Sequence, residues 1–184
     1  MKAENFKPFY TSCGDVNIDG ENAVRVVKTD RIYDFDINSF ARLNHVKFHN
    51  GTIKVKVMSR LLPDCDERYK GAYVGLAFRI SDDSESCECF YVRPGAGTKE
   101  RPDSTVGAQY FACPEYTFAC FRERGIHDDH GKFYVNDMET PLFDIEHLFH
   151  GKGEAGGIGL FTDIGAEAFF RDLEIIQVHF EPVF

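Results

Sequence analysis

Between Gly71 and Pro94, two runs of strand-forming residues flank a short polar turn, and apolar side chains recur at every second position. In the first run Val74, Leu76, Phe78 and Ile80 share one face, which leaves Tyr73, Gly75, Ala77 and Arg79 on the other. In the second, Phe90 and Val92 oppose Cys87, Cys89, Tyr91 and Arg93. Successive side chains of an extended strand point to opposite faces, so the pattern predicts a hairpin around Ser81–Glu85 with one oily face. The other face carries Arg and Tyr, which suggests a shallow polar binding surface on a β-sandwich.

The same alternation recurs along the chain. Thr52–Ser59 sets Ile53, Val55 and Val57 against Lys54, Lys56 and Met58, a strand with one solvated face. Ala23–Lys28, Val106–Ala112, Tyr116–Arg122, Lys132–Val135, Gly156–Phe161 and Ala168–Val178 read as further strands. Phe6–Asn22 reads as irregular and turn-rich, Asp34–Ile37 alternates weakly, and Asp144–Phe149 is expected to form one helical turn. Arg93–Thr105, with two Pro and two Gly, reads as a long exposed loop. Short strands at turn-spaced intervals with almost no helix signal predict an all-β antiparallel sandwich or barrel. No internal repeat or linker interrupts residues 1–184, so one domain is expected.

Composition narrows the function. At 184 residues the chain can bury one sizeable core, built largely from eighteen Phe and eight Tyr, with no Trp. A net charge of −9 and the lack of a basic stripe argue against nucleic acid and anionic membrane surfaces as partners. The opening Met1-Lys-Ala-Glu-Asn is too polar for a secretory signal and no apolar run reaches membrane-span length. The expectation is a soluble cytoplasmic protein, or a secreted one if a leader was trimmed. The six cysteines (13, 65, 87, 89, 113 and 120) lack zinc-type spacing. Reduced, partly buried thiols are expected, with a Cys113–Cys120 bridge as the alternative.

Several short motifs occur together and in order. They are Phe48-x-Asn50-Gly51-Thr52-Ile53-x-Val55, Val74-Gly75-Leu76-Ala77-Phe78-Arg79, Glu88-x-Phe90-Tyr91-Val92-Arg93-Pro94 and Gln109-Tyr110. Phe133-Tyr134-Val135-Asn136, Gly157-x-Gly159-Leu160-Phe161 and Phe170-Arg171-Asp172-Leu173-Glu174-Ile175 follow. Over roughly residues 45–178 the chain resembles the concanavalin A-like lectin/glucanase superfamily, nearest its laminin-G-like and 3-keto-disaccharide-hydrolase-like branches. The resemblance implies a jelly-roll of two curved antiparallel sheets, with ligands held on or beside the concave sheet. One departure is conspicuous. Relatives carry a strand of the type Trp-x-x-Val-Lys-Ile-x-Val before the Lys132–Val135 segment, where this chain has only Glu123–Gly131. Nine polar or turn-forming residues cannot supply that strand: either it is lost, which would leave a neighbour unpaired, or a stretch is missing from this sequence.

Arg79, Tyr91, Arg93 and Gln109 form the candidate carbohydrate site. Arg offers a rigid fork of donors for vicinal hydroxyls or a carboxylate, and Tyr a ring face for stacking plus a hydroxyl. Gln109 is included because the resemblance places it beside the Arg-Pro strand. A solvent-face reading would instead pair Arg79 with a turn carboxylate such as Asp82. Glycoside hydrolysis by two carboxylates lacks a suitable pair: Glu85 and Glu88 have opposite parity, and Asp172 and Glu174 lie on a strand expected to be solvated. A lyase or hydrolase acting on a 3-keto-glycoside needs one base, for which Glu88 or a His would serve. His127 and His130 lack a third spaced ligand, and Asp64, Asp66 and Glu67 lack a calcium-loop pattern, so neither metal nor cofactor is expected. The expected partner is a carbohydrate or glycoside. A protein-interaction module is the further alternative, to be favoured by a large exposed apolar patch on a sheet.

Overall fold

The computed structural model describes residues 1–29, 38–66, 69–96, 107–114, 131–137, 139–145, 148–150 and 155–178. All regular structure there is β apart from two single turns of 3-10 helix, Ala3–Asn5 and Pro94–Ala96. The strands are β1 (Phe6–Phe9), β2 (Thr11–Ile18), β3 (Glu21–Lys28), β4 (Phe40–Leu43), β5 (Gly51–Leu61) and β6 (Val74–Ile80). They continue as β7 (Cys87–Val92), β8 (Ala108–Cys113), β9 (Gly131–Phe133), β10 (Phe143–Ile145), β11 (Gly157–Thr162) and β12 (Ala166–Gln177).

A six-stranded antiparallel sheet runs β1-β4-β11-β6-β7-β8, and a four-stranded one runs β2-β3-β12-β5. β9 and β10 form a separate two-stranded ribbon. Phe6, Ala41, Val74 and Leu160 of the larger sheet meet Val24, Val26, Ala168 and Phe170 of the smaller in one core. Full burial of side chains of this size stabilises by about 1.5–3 kcal/mol each, so this seam holds the layers together. Phe133 of the ribbon stacks on Phe90 at 4.4 Å, so the ribbon covers the same face of β7 as the smaller sheet does for its neighbours.

The larger sheet is also buried on its other face. Phe40, Ala77, Ile80, Cys87, Cys89, Tyr91, Phe111, Cys113 and Phe161 make a second core there. The expectation of one oily face and one open Arg/Tyr face is therefore corrected: the face that carries Tyr91 is itself an enclosed core, while Leu76, Phe90 and Val92 on the other are only partly buried.

Two segments also differ from expectation. Residues read as irregular near the N-terminus form β1 and the β2–β3 hairpin, which turns at Asp19-Gly20. β2 alternates buried and exposed positions only weakly, because it is an edge strand with few apolar residues. Where a helical turn was expected from Asp144, β10 instead pairs with β9, Asp144 facing Lys132. The expected strand at Tyr116–Arg122, the alternation at Asp34–Ile37, His127, His130, Glu67 and Cys120 lie outside the described residues.

Candidate functional site

Arg79 decides how the hairpin presents its polar groups. Between the pairs Ala77–Gly159 and Ile80–Gly157 the register slips, so Phe78 and Arg79 together oppose Ile158, a β-bulge. Arg79 adopts φ +51°, the left-handed region that non-glycine residues seldom occupy. Close backbone approach from the next strand accompanies it: a methyl group on Gly156 would lie 2.5 Å from the Arg79 Cα. The extra residue reverses the alternation. Arg79 therefore turns to the interlayer side, with Phe78, rather than to the side of Tyr73 and Ala77.

There it joins a buried network. Arg79 Nη1 donates to Glu88 Oε1 at 3.0 Å, with both side chains almost wholly enclosed. The Tyr110 hydroxyl donates to Glu88 Oε2, and the His150 backbone N–H donates to Oε1 at 3.1 Å. Burial, reinforced by the negative charge of Glu88, pushes the Tyr110 phenol far above its ordinary value, so it remains the proton donor. The expected solvent-face partner of Arg79, Asp82, is instead held by Arg42 and Lys47. A base must reach the proton it removes, and the Glu88 carboxylate is fully enclosed by its own partners. It ties β6, β7, β8 and the 148–150 segment together.

The other three predicted residues do meet, on the opposite face. Tyr91 donates from its hydroxyl to Gln109 Oε1 at 2.9 Å, and Arg93 Nη2 donates to both Tyr91 and Gln109. The Arg93 guanidinium lies 5.5 Å from the Tyr91 ring centre and 5.8 Å from that of Tyr73. Its Nε is buried without a hydrogen-bond partner among the described residues. Tyr91 itself is 1% exposed, its ring enclosed by Tyr73, Phe111 and Phe161. A ring so enclosed offers no face to a sugar, which corrects the stacking role assigned to it. Burial, partly offset by Arg93, also raises its phenol well above the ordinary value.

A large concavity lies elsewhere, between the layers. A cleft of about 1720 Å³ is walled on one side by β5 from Gly51 to Met58 and on the other by Gly131–Asn136. Leu76, Phe78, Phe90 and Val92 of the larger sheet line its floor. It exceeds the roughly 300–1,000 Å³ usual for small-molecule pockets. Two features make it an open seam. β5 pairs with β12 along one edge, and its other edge has no strand partner among the described residues. β9 likewise pairs only with β10 among them. Val57, on the inward face of β5, is left 41% exposed.

No family model, curated protein or solved structure matches this chain. What the cleft can hold is therefore argued from its own lining. The sequence carried one signal for it, the strand of alternating Ile, Val and Lys at Thr52–Ser59. Among the described residues no cluster of three or more His, Cys, Asp or Glu side chains is placed to hold a metal ion.

Proposed function

We propose that this protein is a protein-interaction module that takes an apolar-faced segment of its partner into the cleft between the two layers. The observation that carries the reading is the partly exposed apolar floor. Leu76, Phe90 and Val92 belong to central strands of the larger sheet, where such side chains are ordinarily covered, yet they line an open cleft. A contiguous exposed apolar surface on a folded protein marks an interaction site. The finer fold reading, a concanavalin A-like jelly roll, belongs to the same proposal. Two antiparallel sheets sharing one core support it.

A second reading, carbohydrate or glycoside binding, draws on the outer cluster. Beside Gln109, Arg93 carries a buried donor with no partner among the described residues, and a sugar hydroxyl is an acceptor suited to it. One experiment separates the two. In two-dimensional NMR, peptides with an apolar face should shift the signals of Leu76, Phe90, Val92 and Phe133. Oligosaccharides should shift those of Arg93 and Gln109 if the second reading holds. Peptides that leave the cleft signals unmoved contradict the interaction reading.

A further inference from the structure

We infer that the cleft is a strand slot: an extended partner segment, apolar at every second position and acidic between, inserts between β5 and β9 and pairs with both. The inference rests on the interaction reading and specifies the bound conformation and chemistry. An apolar floor alone would accept a helix, a lipid chain or a loop. The walls restrict the choice, because each is the edge of a sheet with no strand partner on the cleft side among the described residues. Such an edge presents a row of main-chain donors and acceptors, and an added strand satisfies them while its alternate side chains fill pockets. A strand placed here would join the four-stranded sheet to the β9–β10 ribbon and complete one continuous layer over β6 and β7.

The banks also specify charge. On β5 the outward side chains include Lys54 and Lys56, and on β9 the outward one is Lys132. Their carboxylate partners, Glu174, Asp172 and Asp144, sit on β12 and β10, the strands behind each bank. An inserted strand therefore meets lysine on both sides. Edge lysines repel basic strands, and directly opposite unlike charges favour pairing, which selects acidic residues at the outward positions.

The test uses the whole protein and synthetic peptides about nine residues long, a length within the usual range of strands. The peptides alternate valine with glutamate, and controls alternate valine with lysine or carry N-methyl groups on alternate amides. Calorimetry should show saturable binding of the acidic peptide, weakened about tenfold or more by N-methylation and by the lysine pattern. The lysine penalty should shrink at high salt. Val57→Asp and Val135→Asp, at positions 41% and 40% exposed that tolerate a polar side chain, should each weaken binding by at least a similar factor. Equal binding of the N-methylated peptide, with Val57→Asp still disruptive, would overturn strand addition while leaving the cleft as the site. Binding indifferent to both Asp substitutions, or none at all, would sink the cleft reading itself. Self-association that blocks the peptide would assign the slot to a second copy and also overturn the proposal.

Discussion

Arg79 and Glu88 are a buried ion pair whose charges have been withdrawn from water, and such a pair is far more costly to halve than to remove. Arg79→Met should destabilise by on the order of 3–5 kcal/mol in urea unfolding, and adding Glu88→Gln should recover much of the loss. Equal instability of the single and double variants would contradict this account of the network. On the outer face of the smaller sheet, Glu167 accepts from both Arg25 and Arg60. Desolvation pushes its carboxyl up, but those hydrogen bonds outweigh it and hold the group below its ordinary value. The unfolded chain therefore takes up this proton more readily. The associated stability is fully present above the ordinary carboxylate value and is lost as pH falls through the folded-state value. Wild type should lose more stability than Glu167→Gln between about pH 6 and about pH 3, and parallel losses would contradict the assignment. The alternation of β7 was legible in the residues themselves, since Cys87, Cys89 and Tyr91 do share a face. The orientation of Arg79 was not, because the bulge that turns it depends on a strand nearly eighty residues away in sequence.

Elements with a strong period of two were readable: β3, β5, β6, β7, β8, β11 and β12 all lie where alternation or apolar runs place them. β1, β2, β4 and β10 were missed because they are short or lie at edges, and what fixes them is pairing with a partner strand. Local propensity carries little of that information. The bulge in β6 offers an element-scale test. A side chain at Gly156 must push against the Arg79 backbone, so Gly156→Ala should cost about 1–3 kcal/mol. A neutral substitution would show that the two segments do not approach so closely. The β7–β8 pair makes a second prediction. Burial pushes the Cys87 and Cys89 thiols well above their ordinary values, which disfavours the reactive thiolate. Both should resist alkylation in the native protein and react fully in denaturant, as mass spectrometry of the labelled chain would show; rapid native labelling would contradict their burial.

For the whole molecule, an all-β antiparallel sandwich was legible from strand spacing, while the separation of its second layer into a sheet and a ribbon was not. What the sequence could not convey is that a cleft between β5 and Gly131–Asn136 reaches Leu76, Phe90 and Val92 of β6 and β7. The candidate polar cluster was partly legible. Tyr91 and Arg93 share a face as strand parity implies and Gln109 joins them there, yet that face is itself a core. The cleft leaves one edge of β5 without a strand partner among the described residues, and residue-resolved amide hydrogen exchange on the unliganded protein tests this directly. Along β5, amides bonded to β12 should be protected while the intervening ones, facing the cleft, exchange rapidly. Uniform protection along both edges of β5 would contradict the claim, because it would mean that the seam is already filled.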